Sequence, residues 1–413
     1  MKIVKKTYLL LIVTACLLAQ SSLAQKKPNY FSVKGTEVIG PNGKPFLMRG
    51  TNLGNWLNPE GYMFMFDKVS SFRLIDQLFK ELYGPSATNR FWQRYQDNYI
   101  TREDIHYIKQ MGANSIRIPF HYKLFTAEDY MGANNPNRGF ELLDRVIGWC
   151  KAEGLYVILD MHDAPGGQTG DNIDDSYGYP WIFESEPDQQ LFCHIWTKIA
   201  RHYANEPLVI GYDLLNEPIA HYFSNKEDLN KQLEPLYIRA TKAIRTVDKN
   251  HIVICGGAQW DGNTAVFSNF NFDEKMMYTC HRYWCDTLQS NIQDFLDFRA
   301  KSGRPIYMGE TGENKDEWVA AFRTLLEKNN IGWHFWPYKK MPATSGMMIV
   351  KKPENWDLIV EYSKKDRSSL GAVRDNQPDR QLIKNIPAEL IENIKFRNCS
   401  KNEGYIKALG LKP

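Results

Sequence analysis

Eight short apolar runs alternate along this chain with stretches of helical periodicity, and that alternation limits the fold more than any other feature. The runs are Phe46 to Gly54, Ser115 to Phe120, Leu155 to Asp160, Leu208 to Leu215, His251 to Cys255, Met276 to Cys280, Pro305 to Met308 and Gly332 to Trp336. Near-continuous apolar runs of this length read as strands buried on both faces, as in parallel sheets. The segments between them are amphipathic. Phe140 to Glu153 places Leu143, Val146, Ile147 and Cys150 on one face and stops at Gly154. Thr101 caps a helix that runs to Met111, with Gly112 as its stop. Strand and helix in eightfold alternation predict an α/β fold, a (β/α)8 barrel. A doubly wound open sheet is the alternative, but no run leads into a Gly-x-Gly-x-x-Gly loop. Phe31 to Leu47, with turn residues at Gly35 and Pro41-Asn-Gly43, predicts a short N-terminal hairpin before the barrel. Beyond Pro353, helical stretches around Trp356 to Lys364 and Ala388 to Ile394 are too short for a domain and are expected to pack on the barrel.

The first 24 residues read differently. Lys2, Lys5 and Lys6 precede an apolar run from Tyr8 to Ala19, and Ser22-Leu-Ala24 offers small residues for cleavage. This is the pattern of a secretory signal peptide, too short for a membrane span. Residues 25–413 are then expected to form one barrel domain, exported to the periplasm, cell surface or medium. Val13-Thr-Ala-Cys16 also resembles a lipoprotein box, so a lipid anchor at Cys16 is the second possibility. Loss of the leader removes three lysines and no acid, which takes the formal charge from +3 to zero. A near-neutral chain argues against nucleic acid or anionic membranes as partners. Six cysteines remain, an even number that permits disulfides in an exported protein, and no Cys/His spacing suggests a zinc site.

The ends of the runs carry the chemistry. Val209-Ile-Gly-Tyr-Asp-Leu-Leu-Asn-Glu-Pro218 stops in an amide, a carboxylate and a proline that cannot continue a ladder. Arg304-Pro-Ile-Tyr-Met-Gly-Glu310 has the same design. In a parallel barrel, residues after each strand converge on one mouth. Glu217 and Glu310, 93 residues apart, would face each other there. Paired carboxyls are what glycoside hydrolysis requires. The other strand ends supply Arg117, Asp160, His162, Asp163, Asn216, His281, Tyr283 and Trp336. Taken singly, each has a structural explanation; Trp336 alone would be read as core. Together they fit one reaction. Burial and a neighbouring negative charge would keep an acid/base glutamate protonated, and an arginine and a tyrosine hydroxyl would keep a nucleophile ionised. Asn216 can hydrogen-bond a sugar 2-hydroxyl, and an indole face suits the flat side of a pyranose.

Asn216-Glu217-Pro218, His281-Arg-Tyr283, Gly309-Glu310 and Trp336, with Arg117 and His162 upstream, resemble glycoside hydrolase family 5, the cellulase-like retaining β-glycosidases. The resemblance runs from Gly50 to about Tyr338. It implies Glu217 as acid/base, Glu310 as nucleophile, and Arg117, His162, Asn216, His281, Tyr283 and Trp336 as substrate-binding residues. It implies no metal and no organic cofactor. Thr51-Asn-Leu-Gly-Asn-Trp-Leu57 and Met161-His-Asp-Ala-Pro-Gly-Gly-Gln168 look like loops of the exo-β-1,3-glucanase and β-1,6-glucanase branch, with Asn55 and Asp163 where that branch has glycine. A β-glucan is therefore the expected substrate. An endo-β-1,4-glucanase or mannanase, and a catalytically idle carbohydrate-binding barrel, are the alternatives. A glycolipid hydrolase is a further one and needs an exposed apolar patch, for which Met63-Phe-Met-Phe66 is the candidate. The insert Gly166 to Phe183, with Asp171, Asp174 and Asp175, is expected to wall one side of the cleft. Its acids are expected to be solvated rather than to bind calcium.

Overall fold

The computed structural model describes residues 29–171, 173–341 and 345–413. The expected signal peptide and Cys16 lie outside the described residues. Two short strands, β1 (Ser32–Lys34) and β2 (Glu37–Ile39), pair antiparallel as the predicted hairpin. Eight strands then close a barrel: β3 (Arg49–Asn52), β4 (Ser115–His121), β5 (Tyr156–Asp163), β6 (Val209–Asp213), β7 (Ile252–Gly256), β8 (Met276–Arg282), β9 (Ile306–Thr311) and β10 (Gly332–Phe335). Every neighbouring pair is parallel, and β10 returns to β3. The eight runs are these strands, displaced by up to three residues at their ends.

The helices form for the reasons read in the sequence. Arg102–Met111 carries a capping box between Thr101 and Asp104 and ends in left-handed Gly112. Arg138–Glu153 buries the predicted apolar stripe and ends at left-handed Gly154. The regular alternation fails once. Only short irregular turns lie between β7 and β8.

Ile158, Ile210, Ile254, Met277 and Tyr307 fill the inner barrel, and Phe31 and Val38 of the hairpin pack into the same cluster. The larger core lies between strands and helices. The tail helices Trp356–Ser363 and Ile386–Asn393 do pack on the rest of the chain: Trp356 is buried and its indole N–H donates to the carbonyl of Phe64 at 2.9 Å. That contact settles the Met63 to Phe66 stretch. Met63, Phe64 and Phe66 are core residues under the tail, so they form no exposed apolar patch. All six described cysteines are free thiols. No described helix is long and apolar enough to cross a membrane.

Candidate active site

Arg117 is the centre from which the site is built. It stands mid-strand on β4 and is fully buried. Its Nε donates to Asp213 Oδ2 at 2.9 Å. Nη1 donates to Glu310 Oε1 at 2.6 Å and to Asn52 Oδ1 at 3.1 Å, and Nη2 donates to Asn216 Oδ1 at 2.8 Å. Asp160 Oδ1 stands 3.0 Å from Nη2. A planar guanidinium has five N–H groups in a rigid fork, and here four hydrogen bonds go to oxygens of four different residues, with Asp160 as a further ion-pair partner. The charge is offset by three buried carboxylates, which is the only way such a cation is tolerated in a core.

Glu310 and Glu217 meet above this layer. At the end of β9, Glu310 takes Arg117 on Oε1 and the Tyr283 hydroxyl on Oε2 at 3.2 Å. Across β8 and β9 the register shifts between Cys280 and His281, so that His281 pairs with Glu310. Such bulges re-aim side chains beside active sites. Gly309 permits this, because a Cβ there would lie 2.2 Å from Thr279 Oγ1 and 3.0 Å from the His281 ring. Glu217 and Ile219 flank Pro218 with left-handed φ values of 47° and 61°, which makes the turn at the strand tip abrupt. His281 Nδ1 lies 2.8 Å from Glu217 Oε1. One oxygen of each glutamate and this nitrogen all lie within 4.8 Å of one another.

Burial pushes the Glu217 carboxyl up to about 7, although His162 and Arg117 pull it down. Burial raises Glu310 too, with Glu217 beside it adding and His281 and Arg117 opposing. The two differ in contact: the guanidinium touches Glu310 and not Glu217. Burial lowers His281 to about 4, so its ring is neutral at ordinary pH.

A cleft of about 790 Å³ opens over the pair. Six of the eight predicted residues line it: His162, Glu217, His281, Tyr283, Glu310 and Trp336. Arg117 and Asn216 do not. Both lie beneath the floor with no exposed surface. Arg117 gives its hydrogen bonds to Asp213, Asn52, Glu310 and Asn216 beneath the cleft. Asn216 keeps one group free: its Nδ2 is buried with no hydrogen-bond partner among the described residues. Trp336 stacks on His162 at 5.3 Å and 3° between planes, and its Nε1 donates to the Tyr62 hydroxyl at 2.6 Å. His162 is held from below by Asp160 at 2.8 Å.

Several residues of the site were not read from the sequence. Asn52, Asp213 and Tyr307 complete the Arg117 layer; the Tyr307 hydroxyl donates to Asp213 Oδ2 at 3.0 Å. Glu60, Tyr62, Trp260 and Trp284 also line the cleft. A strand-end position was the available signal for Asn52 and Asp213. No local pattern marks the others. Asn55 does occupy a glycine-like place, with φ of 63°, and its side chain accepts the Glu60 N–H at 3.1 Å.

The insert departs from expectation. Asp171 and Ile173 line the cleft, as a wall should. Asp174 and Asp175, however, are not solvated. Asp174 is buried and accepts the N–H groups of Thr169, Gly170 and Ser176. Asp175 accepts the Arg73 N–H at 2.7 Å and stands 3.3 Å from His121 Nε2, while its own N–H goes to Asp163 at 2.6 Å. These acids fasten the loop. Gln168 at its start donates to the carbonyls of both His162 and Asn216, at 2.8 and 2.9 Å.

A parallel barrel with two buried glutamates this close at its C-terminal mouth is the architecture of a glycoside hydrolase. The chain belongs to glycosyl hydrolase family 5: the model described as Cellulase (glycosyl hydrolase family 5) matches residues 79–341. Among its relatives is a beta-xylosidase of Phanerodontia chrysosporium, 31% identical over 303 residues; the match covers 71% of this chain but only 59% of that protein. A probable glucan endo-1,6-beta-glucosidase B of Aspergillus flavus is 25% identical over 395 residues, covering 81% of this chain and 94% of the relative. This is the branch whose loops the sequence resembles. The fold is shared with the crystal structure of an endogalactoceramidase at a TM-score of 0.56 and 18% identity, over 76% of this chain and 75% of that one.

Proposed function

We propose that residues 25–413 form one exported retaining β-glycosidase acting on β-glucans, with Glu217 as acid/base and Glu310 as nucleophile. The observation that carries this reading is the contact set of the two glutamates. One oxygen of each lies within 4.8 Å of the other, which agrees with the close-set carboxyl pair of a retaining enzyme, about 5–5.5 Å apart. Glu310 has a guanidinium and a phenol to hold it ionised. Glu217 has neither and is pushed up to about 7, where a general acid keeps its proton near neutrality.

The steps follow from that geometry. A Glu310 oxygen bonds to the anomeric carbon as the glycosidic C–O bond breaks, and the leaving oxygen takes the Glu217 proton. A water then gives its proton to Glu217 and its oxygen to the same carbon, which frees Glu310. The unpartnered Asn216 Nδ2 is placed to donate to a sugar 2-hydroxyl, and Trp336, braced by His162 and Tyr62, gives a flat wall. Asp171 and Ile173 of the insert line the cleft with Glu60 and Tyr62, and an insert that walls the cleft favours a pocket for a chain end and so exo action.

The test is hydrolysis of β-1,3-, β-1,4- and β-1,6-glucans, β-mannan and an aryl β-glucoside by wild type and Glu310→Ala. Wild type is expected to release glucose first from a β-1,3- or β-1,6-glucan, and the variant to lose about 10⁴-fold or more of that rate. Mixed early oligomers from the β-1,4-glucan or mannan would select the endo-acting alternative. A variant as active as wild type would remove Glu310 from the mechanism. Inactivity of both, with binding of a polymer, would leave a carbohydrate-binding barrel.

A further inference from the structure

Between β7 and β8 the chain drives three consecutive residues, Gln259, Trp260 and Asp261, into left-handed conformations, with φ of 51°, 57° and 57°. Residues other than glycine adopt that region seldom, and strain of this kind persists where the surroundings hold it at a functional site. The consequence is that Asp261 turns inward and is fully buried. Its Oδ1 fills the space that a Cβ on Gly256 would need, 1.8 Å away, so only glycine fits beneath it. Its Oδ2 accepts the backbone N–H of Glu217 at 3.2 Å and stands 3.3 Å from His281 Nε2. The other ring nitrogen of His281 is the one 2.8 Å from Glu217 Oε1. Asp261 thus touches the strand tip that carries Glu217 and, on its other side, the ring that holds the Glu217 carboxyl.

Among the described residues, His281 Nε2 and Asp261 Oδ1 have no hydrogen-bond partner, and Asp261 Oδ2 is the atom that stands 3.3 Å from that nitrogen. The charged groups around Asp261 are Asp213, Glu217 and Arg117, with His281 against it and Tyr237, Cys255 and Cys280 as uncharged neighbours. Burial, with Asp213 and Glu217 beside it, pushes its carboxyl well above the usual range, so it is a neutral acid with an O–H to donate.

We propose that Asp261 is a positioning residue for Glu217: its O–H is directed at His281 Nε2, which keeps the imidazole proton on Nδ1, where it is donated to Glu217 Oε1. The Glu217 proton then resides on the oxygen that His281 leaves free, the one available to the leaving group. In the other tautomer Glu217 would have to point its proton at Nδ1, away from the substrate. No proton is transferred along the chain of contacts; Asp261 decides only which atoms donate. This inference rests on Glu217 as acid/base.

The experiment compares phenyl and dinitrophenyl β-glucosides with wild type, Asp261→Ala, Asp261→Asn and Glu217→Ala. Phenol needs an acid to leave, and dinitrophenol does not. The ratio of the two rates is independent of how much of each preparation is folded. Asp261→Ala is expected to slow phenyl glucoside about tenfold or more and dinitrophenyl glucoside by about twofold or less, a part of the roughly 10²–10⁴-fold that general acid catalysis supplies. Asp261→Asn presents a neutral N–H donor to His281 Nε2 in a left-handed position that asparagine tolerates, at the loss of the acceptor for the Glu217 N–H, and is expected to bring the ratio of the two rates nearer to wild type than Asp261→Ala does. If Asp261→Ala slows both substrates alike while Glu217→Ala shows the leaving-group pattern, Asp261 is structural only and the proposal falls. If the Asn ratio of phenyl to dinitrophenyl rates is no nearer to wild type than the Ala ratio, the neutral donor is wrong. If Glu217→Ala itself slows both alike, the acid/base assignment fails and this inference with it.

Discussion

At the scale of single residues, the site works by giving two like side chains different neighbours. Glu310 rests on a guanidinium that has no freedom to leave. Glu217 rests on a neutral imidazole. The expected pH dependence follows with its sign. Burial raises Glu217 to about 7, so the acid form dominates below that value and is lost above it. The basic limb of kcat/KM should therefore lie near pH 7 on a substrate with a poor leaving group, and flatten on dinitrophenyl glycosides. A limb that stayed level to beyond about pH 9 would show that another group supplies the proton. Glu217 and Glu310 were legible in the sequence because each ends an apolar run abruptly. The role of Arg117 was only half legible. Its neighbourhood to a carboxylate could be expected, but the full set of its partners includes Asn52, Asp160, Asp213 and Asn216, which come from four other parts of the chain.

At the scale of elements, the insert from Gly166 to Phe183 is a clasp between strand tips. Gln168 ties the carbonyls of His162 and Asn216, and Thr169 Oγ1 donates to the Glu217 carbonyl at 2.7 Å. Asp174 gathers three backbone N–H groups that hold this turn together. Asp174→Ala should strand those donors and cost about 1–3 kcal/mol, seen as a lower urea midpoint, together with a fall in kcat as the Glu217 turn loosens. Unchanged stability with unchanged kcat would mean that the clasp carries no load. The sequence suggested a solvated acidic loop because three aspartates within five residues usually face water. Asp175 is held by His121 and Arg73, which belong to other elements and which no local pattern announces, and Asp174 by N–H groups of its own loop.

At the scale of the molecule, the Arg117 layer ties strands around the barrel. Asn52 stands on β3, Asp160 on β5, Asp213 on β6 and Glu310 on β9. Arg117→Met should remove the shared cation and leave three carboxylates buried, at a cost of about 3–5 kcal/mol and with loss of activity even where the protein remains folded. A thermal midpoint within about 2 °C of wild type would contradict that account. The amino-acid sequence alone determined the barrel, its hairpin and the identity of the two glutamates. Those depend on periodicities of two to four residues and on what stops a strand, all of them local. The different contacts of the two glutamates, which predicted residues line the cleft and which lie beneath it, and the inward turn of Asp261 were decided by the closed barrel. They depend on burial and on distances between groups that only closure brings within 3 to 4 Å of one another, where a low dielectric makes every contact count.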